Sequence, residues 1–359
     1  MSSKLFTPIA LRGTTVPNRA WMAPMCQYSA AVSGPETGVP NDWHVQHYGS
    51  RAAGGAGLIL VEATAVVPEG RISPADLGIW NDEQADGHRR LTGLMRSLGA
   101  VPGIQLAHAG RKAATDIEFR GGRPLADDEG GWEPRGPSPI AFSEAHRTPH
   151  ELTVEEIAAT VESFARAARR AVDAGYEVIE VHSAHGYLLH EFLSPVSNRR
   201  RDSYGGSFEN RIRLVTEVTE AVREAIGPDR PLLVRVSATD WIEPDGWTGD
   251  DTVRLAARLA ERGVDMMDLS SGGNLTGAKI PTGPGYQVPF AARVRRESGL
   301  PTAAVGLITE AGQAEKILAG GEADAVLLGR ELLRTPYWPH QAARELGEEH
   351  ALPVQYRRA

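Results

Sequence analysis

Two histidines and a tyrosine stand together in the segment HSAHGY at residues 182–187. Near one strand end, the rings of His182 and His185 can both donate a hydrogen bond to the same ligand oxygen. The phenol of Tyr187, two residues on, can deliver a proton to a neighbouring atom. A metal site would need a third ligand, but His108 and Glu180 give no familiar ligand spacing. Two structural histidines near a turn are the remaining alternative.

Cys26 is the one cysteine of the chain, and it stands at the end of an apolar run beside Pro24. A single thiol excludes an internal disulfide and a cysteine-ligated zinc or iron–sulfur centre. A free cysteine is usually a small buried hydrophobe, so only its place at a strand end favours a functional role. From the residues alone, both interpretations stay open.

Arg235 lies within the apolar run LLVRVS, where a charged side chain needs an anionic partner. A salt bridge to Glu180 or Asp268 would provide one, and an anionic edge of a cofactor is the alternative. Three residues after the last two apolar runs fit a phosphate site, because bare backbone amides and a guanidinium can donate to phosphate oxygens. They are Gly306, Gly329 and Arg330.

Eight short apolar runs alternate with amphipathic stretches, which predicts eight parallel strands buried on both faces. The runs are residues 19–25, 57–66, 102–110, 176–186, 231–240, 265–273, 301–308 and 323–330. The predicted fold class is therefore α/β, a single (β/α)8 TIM barrel over residues 1–359. A dinucleotide-binding sheet or a phosphate-loop ATPase is disfavoured, because neither glycine motif occurs.

Helices are predicted between the strands. Thr153 with Glu156 and Thr248 with Asp251 have capping-box spacing, and Gly175 is placed to end the first of these two helices. The other predicted helices are 82–98, 208–226, 288–297, 309–319 and 331–346.

Two segments fall outside this alternation. Residues 5–18 are predicted to form an N-terminal hairpin that plugs the bottom of the barrel. Residues 111–150 form a long Gly-, Pro- and acid-rich loop after the third strand, and a loop there is expected to be an active-site lid. His44 and His47, in the first helix, are expected at the surface or at an interface.

The 359 residues include 38 basic and 46 acidic side chains, and the net charge of −8 disfavours a nucleic-acid partner. No apolar run approaches the roughly 20 residues of a membrane span, and the start MSSKLF has no signal-peptide core. We therefore expect no membrane partner and a cytoplasmic location.

Seven colinear motifs span nearly the whole chain. They are PMCQY (24–28), QLAHAGRK (105–112), HSAHGY (182–187), HEFLSP (190–195), YGGSFENR (204–211), GRELL (329–333) and PVQY (353–356). Together they resemble the Old Yellow Enzyme family of FMN-dependent ene-reductases, in its cysteine-bearing, thermophilic-like branch. The predicted barrel agrees with this resemblance.

The resemblance implies a non-covalent FMN across the barrel mouth. Residues that would back or border its ring are Ala23, Pro24, Met25, Cys26, Ala63 and Gln105. Arg235 would stabilise negative charge on the N1/O2 side of the reduced ring, and the Gly306, Gly329 and Arg330 set would hold the phosphate. Cys26 would tune the redox behaviour of the flavin rather than act as a nucleophile.

The resemblance also implies a reaction in two halves at one shared site. NADPH, or NADH, gives a hydride to the flavin, and an activated alkene (an α,β-unsaturated carbonyl or nitro compound) then takes it at the β-carbon. His182 and His185 would hold the substrate oxygen, and Tyr187 would protonate the α-carbon. Because both substrates use one pocket in turn, no separate dinucleotide domain is needed.

Tyr28 and Lys112 would line the substrate side. Counted from Tyr356, Arg358 matches an arginine that the family sends into a neighbouring subunit's active site, with Arg357 as the fallback. The C-terminal tail, about residues 347–359, would thus make the protein a homodimer or homotetramer.

Three rival functions are weaker. Larger dienoyl-CoA-reductase-type relatives need a cysteine cluster and extra domains that this sequence lacks. A metal-dependent hydrolase barrel lacks a third ligand beside the two histidines. A barrel that only binds a phosphorylated ligand would leave Tyr187 and the histidine pair without a use.

Overall fold

A computed structural model describes residues 3–349, 352–356 and 358. The chain begins with an antiparallel hairpin, and eight parallel strands then close into a barrel with neighbour order β3-β4-β5-β8-β9-β10-β11-β12. The strands are β1 (Ile9–Leu11), β2 (Thr14–Val16), β3 (Ala20–Met22), β4 (Leu58–Ala65), β5 (Val101–Ala107), β6 (Arg135–Gly136), β7 (His150–Glu151), β8 (Val178–Ser183), β9 (Leu232–Ser237), β10 (Met266–Ser270), β11 (Thr302–Ala304) and β12 (Ala325–Leu328). The predicted TIM barrel is confirmed.

Helices surround the barrel. They are α1 (Asp42–Ala53), α2 (Asp82–Ser97), α3 (Val154–Asp173), α4 (Leu188–Leu193), α5 (Phe208–Arg211), α6 (Arg213–Ile226), α7 (Gly249–Ala260), α8 (Val288–Ser298), α9 (Ala311–Ala319), α10 (Arg330–Arg334) and α11 (Trp338–Glu345). Thr153 and Thr248 begin α3 and α7 in capping boxes, as predicted. The predicted helix 331–346 is instead two helices, because Pro336 lacks an N–H and disfavours a helical conformation at the residue before it. No helix in the described part is long and apolar enough to cross a bilayer.

Side chains of the barrel strands alternate between the interior and the helix layer. The first inner positions are apolar, and Val178, Leu233 and Met266 pack in one cluster with Leu11 and Val16 of the hairpin. The hairpin therefore closes the amino-terminal end of the barrel, as predicted. Two and four residues further along β8, β9 and β10, the inner positions become polar and form the site described below.

The expectation for His44 and His47 is wrong, because both side chains are buried. Helix α1 packs on β4, so the His44 ring faces Glu62, with Nε2 and Oε1 3.9 Å apart. The His47 ring meets Tyr48 edge-on at 4.9 Å. Burial lowers the pKa of His44 to about 4 and that of His47 to about 3, so both rings are uncharged packing groups.

The loop 111–150 follows β5, contains β6 and ends at the first residue of β7, with which β6 pairs. Its first residues are hydrogen-bonded at the carboxyl end of the barrel: the backbone N–H of Arg111 donates to Glu191 Oε1 at 2.8 Å. Later in the loop, the ring of Phe142 lies 4.6 Å from Lys112 Nζ. The loop therefore borders the barrel mouth.

Candidate active site

The last inner positions of β8, β9 and β10 are His182, Ser237 and Ser270, and they surround the carboxyl end of the barrel. His185, just after β8, contacts both serines: its backbone N–H donates to Ser237 Oγ at 2.9 Å, and its Nε2 lies 2.7 Å from Ser270 Oγ. The rings of His182 and His185 have centroids 5.1 Å apart and are nearly perpendicular. The structure thus brings the predicted histidine pair together.

Residues 184–188 form the turn that presents His185 and Tyr187, and each of its backbone N–H groups has an acceptor. The acceptors, in chain order, are His182 Nδ1 (3.3 Å), Ser237 Oγ (2.9 Å), His190 Nδ1 (2.9 Å), Ala184 O (3.2 Å) and His108 O (3.0 Å). His185 and Gly186 are both left-handed, with φ of +60° and +74°, which costs about 1 kcal/mol or more at the histidine. A Cβ at Gly186 would lie 2.3 Å from Gly273 O, so the turn requires glycine there.

Both site histidines are neutral. Burial, together with the positive charge of Arg235, holds the pKa values of His182 and His185 well below the usual range. Because His182 Nδ1 accepts the Ala184 N–H, its hydrogen is on Nε2, which is free to donate. The His185 Nε2 is engaged by Ser270, which leaves Nδ1 as its second polar atom.

Tyr187 and Lys112 complete this group. The Tyr187 ring stands edge-on to His182 with centroids 5.1 Å apart, and Lys112 Nζ lies 5.1 Å from the same tyrosine ring. Burial raises the pKa of Tyr187 well above 10, so the phenol stays protonated and can serve as a proton donor.

A polar layer lies one inner position deeper. Arg235 Nε is 2.9 Å from Asp268 Oδ2, so of the two candidate carboxylates Asp268 forms the salt bridge. Glu180 instead accepts a hydrogen bond from Gln105 Nε2 at 2.8 Å. The Arg235–Asp268 contact is not aligned as a hydrogen bond, and within the described residues the Arg235 guanidinium donates none. Its terminal N–H groups are therefore available to a ligand.

A cavity of about 180 Å³ opens where β11 and β12 end, and Gly306, Gly329 and Arg330 all line it. Gly306 has φ +124°, and a Cβ there would lie 2.9 Å from Gln287 Nε2. The position therefore favours glycine, and no side chain covers its backbone. The exposed Arg330 guanidinium makes no hydrogen bond to any residue that the structure describes. Met25 Sδ would lie 3.6 Å from a Cβ at Gly329, which links this cavity to the PMCQY segment.

These residues fit FMN. A bare glycine backbone beside a free guanidinium suits a phosphate. Arg235, with unused donors on the inner wall, suits the electron-rich edge of a flavin ring, and the Gln105 amide lies in the same layer. Among the described residues, no three His, Cys, Asp or Glu side chains are grouped so as to hold a metal ion.

Cys26 lies partly exposed at the mouth, where the Ala63 N–H faces its sulfur. Burial of the sulfur, together with the negative charges of Asp76 and Glu62, raises the thiol pKa well above the usual range. A neutral thiol is a poor nucleophile. Pro24 and Met25 are also partly exposed, whereas Ala23 is buried at the end of β3.

Tyr28, two residues after Cys26, has a left-handed backbone conformation with φ +50°. Its ring meets the exposed ring of Phe119 edge-on at 5.8 Å, so the loop 111–150 reaches this side of the mouth.

Sequence reasoning missed several residues of the site. Ser237 and Ser270 lie two residues after Arg235 and Asp268, so strand alternation could have identified them. Gln287 accepts a hydrogen bond from Ser271 Oγ at 2.7 Å, and no local pattern marks it.

Arg358 is exposed. The preceding tail residues 352–355 line a cavity with Asn18, Gly55 and Gly99, at the amino-terminal end of the barrel. Arg357 lies outside the described residues.

Comparisons with known proteins identify the family of the chain. Residues 4–349 match the NADH:flavin oxidoreductase / NADH oxidase family. The chain is 52% identical over 358 residues to an NADPH dehydrogenase of Geobacillus sp. (strain WCH70), covering 100% of this chain and 99% of that protein.

Two solved structures are similar over nearly their whole length. Morphinone reductase in complex with tetrahydroNAD has a TM-score of 0.77 at 30% identity, covering 98% of this chain and 93% of that one. The Old Yellow Enzyme homologue from Zymomonas mobilis has a TM-score of 0.79 at 27% identity, covering 98% of this chain and 99% of that one.

The family match, together with the residues described above that fit the phosphate and the ring, identifies FMN as the cofactor. The NADPH dehydrogenase activity of the relatives identifies NADPH as the reductant. The chain belongs to the NADH:flavin oxidoreductase / NADH oxidase family, among the FMN-dependent NADPH dehydrogenases of the Old Yellow Enzyme group.

Proposed function

We propose that the protein is an ene-reductase that uses NADPH to reduce the carbon–carbon double bond of α,β-unsaturated carbonyl or nitro compounds. The observation that carries the proposal is the group at the mouth: two neutral imidazoles 5.1 Å apart, with a protonated phenol 5.1 Å from one of them. Such a group can bind one oxygen and protonate a nearby carbon.

His182 and His185 would bind the substrate oxygen. Hydrogen bonds to that oxygen stabilise the negative charge that develops on it, and so make the β-carbon more electrophilic. His182 can donate its Nε2–H to the substrate oxygen directly. His185 can donate to it after the contact between its Nε2 and Ser270 Oγ has shifted to admit the ligand. Tyr187 would then give its phenolic proton to the α-carbon.

FMN would lie between the polar layer and the mouth, and when bound it supplies the hydride-transfer chemistry. Gly306, Gly329 and Arg330 would hold its phosphate, and Arg235 would donate to the edge of its ring. The remaining contacts with the ring would come from Ala23, Pro24, Met25, Cys26, Ala63 and Gln105. Nicotinamide and alkene would occupy the same pocket in turn.

Tyr28 and Lys112 would line the substrate pocket, with the loop 111–150 as its lid. Arg358 of a neighbouring subunit would complete the pocket in a homodimer or homotetramer, since the tail leads away from its own site. A test mixes Arg358→Ala and Tyr187→Phe subunits. Restored activity is expected only if two chains share a site.

The test of function follows the flavin colour. The yellow protein is expected to bleach with NADPH without oxygen and to recover with cyclohexenone. Replacing both His182 and His185 with Ala should slow reoxidation by the alkene at least about 100-fold, because two donors to the substrate oxygen are lost. His340→Ala, on α11 beside Ala53, serves as the control. Equal reoxidation rates in the double variant and the parent would refute the proposal.

A further inference from the structure

Beneath the turn 184–188 lies a fully buried pair, His190 and Asp240, to which the proposed reaction gives no role. His190 Nδ1 accepts the N–H of Gly186 at 2.9 Å. His190 Nε2 lies 3.2 Å from Asp240 Oδ1, a charge contact that is not aligned as a hydrogen bond. We propose that His190, held by Asp240, is the positioning residue that sets the places of His185 and Tyr187 during alkene reduction. The inference rests on the proposed function.

Asp240 is itself fixed from two sides. Its Oδ2 accepts hydrogen bonds from Ser194 Oγ at 2.5 Å, at the end of α4, and from the Trp247 N–H at 2.9 Å. Burial alone would raise the pKa of Asp240, but His190 and these hydrogen bonds outweigh it and lower the pKa. The group is therefore a carboxylate, and it favours the hydrogen of His190 on Nε2.

That tautomer leaves a lone pair on His190 Nδ1, which is what the Gly186 N–H requires. A hydrogen on Nδ1 would instead place two donors face to face. Asp240 thus acts on the turn only through His190, and neither side chain is among the groups that would contact the alkene.

Gly186 stands between the two residues that would contact the substrate. His185 holds a left-handed conformation that a side chain disfavours, so this turn keeps its shape only while its N–H groups have fixed acceptors. If the Gly186 acceptor is lost, the turn relaxes and His185 and Tyr187 shift together. A displacement of about 1 Å at a reacting group lowers a rate roughly 100-fold.

Two substitutions separate the roles of the two ring nitrogens of His190. His190→Asn keeps an oxygen near the Nδ1 position, so it can still accept from Gly186. His190→Gln places its amide near the Nε2 position toward Asp240 and offers nothing to Gly186. Asp240→Asn removes the charge that favours Nε2–H, and it repeats the test if His190→Gln does not fold.

The measurement is anaerobic reoxidation of the reduced, FMN-loaded protein by cyclohexenone, in H2O and in D2O. His190→Asn should stay within about threefold of the parent. His190→Gln and Asp240→Asn should be at least tenfold slower, with a larger solvent isotope effect, because proton delivery by Tyr187 becomes limiting. Equal losses in His190→Asn and His190→Gln, or unchanged rates in all three variants, would overturn the positioning role.

The parent protein distinguishes the two proposals. If NADPH bleaches the parent but cyclohexenone does not restore its colour, the ene-reductase function itself fails, and the positioning role fails with it. If cyclohexenone restores the colour of the parent but the reoxidation rates of the variants do not differ in the predicted order, only the positioning role fails.

Discussion

Lys112 Nζ lies 3.0 Å from the carbonyl oxygen of His185, so one ammonium group joins the loop after β5 to the turn after β8. The same nitrogen donates to Gly273 O at 3.1 Å, in the loop after β10. It also faces the rings of Phe142 and Tyr187, at 4.6 and 5.1 Å. Three loops from separate strands therefore meet at one cation.

Replacing this cation should loosen the mouth. Lys112→Met keeps the length of the side chain but leaves two carbonyl oxygens without a donor, at a cost of about 1–3 kcal/mol in the free energy of unfolding. We expect a lower midpoint of chemical unfolding and slower reoxidation by cyclohexenone. Lys316→Met, on the exposed face of α9, is the matched control and should change stability by less than about 0.5 kcal/mol. An unchanged midpoint for Lys112→Met would contradict this account.

The Arg235–Asp268 pair allows stability and cofactor binding to be separated. Arg235→Met leaves a buried carboxylate without its cation, which should destabilise the fold by about 3–5 kcal/mol. Adding Asp268→Asn removes that unpaired charge and should restore most of the stability. FMN affinity, measured by quenching of FMN fluorescence, should stay at least about tenfold weaker in both variants. Recovery of affinity in the double variant would show that Arg235 only balances Asp268.

Cys26 should react slowly with alkylating agents. Its pKa is raised well above the usual range, so almost none of the thiolate that attacks iodoacetamide is present at neutral pH. We expect labelling of the native protein near pH 7.5 to be at least about tenfold slower than labelling of free cysteine. Because the chain has one cysteine, intact mass reports this site alone. A rate equal to that of free cysteine would indicate an activated thiol.

Glu191 should make stability depend on pH. Burial raises its pKa to about 8, whereas an exposed glutamate in the unfolded chain titrates near about 4.3. Between these values the folded protein holds a proton that the unfolded chain has lost, so stability falls as pH rises from about 4.5 to 8.

Glu191→Gln cannot ionise, and its free energy of unfolding should fall less steeply over that range. Summed over the whole range from about 4.5 to 8, the loss of unfolding free energy in the parent should exceed that in Glu191→Gln by at most about 5 kcal/mol. Chemical unfolding at several pH values between about 5 and 8 measures both slopes. Parallel curves for the two proteins would mean that Glu191 is ionised in the folded state.

The barrel could be predicted because parallel strands buried on both faces leave continuous apolar runs. The predicted runs are longer than the strands, however: residues 301–308 were expected where β11 spans Thr302–Ala304. Beyond the last ladder hydrogen bond the chain turns into the barrel mouth, and small or apolar residues continue there because they line a site. Composition alone does not separate a strand end from such a lining.

Contacts across the barrel were harder to predict. Glu180 and Asp268 both occupy inner positions, and only the stagger of the strands decides that Arg235 pairs with Asp268 while Glu180 accepts from Gln105. His44 shows a similar limit, because it lies in a mainly polar helix whose buried side is set by β4. The motif residues around Tyr187 were found because they are close in sequence.

The enclosure of Lys112 also determines how the protein can be attached to other materials. The chain has four lysines, and Lys4, Lys279 and Lys316 are exposed while Lys112 is held between loops. Amine-directed coupling of side chains to a resin or a dye would therefore occur at three sites. Two of them, Lys4 and Lys316, lie in the segment Lys4–Phe6 and in α9, which pack together, so most attachments would fix the barrel in a restricted set of orientations.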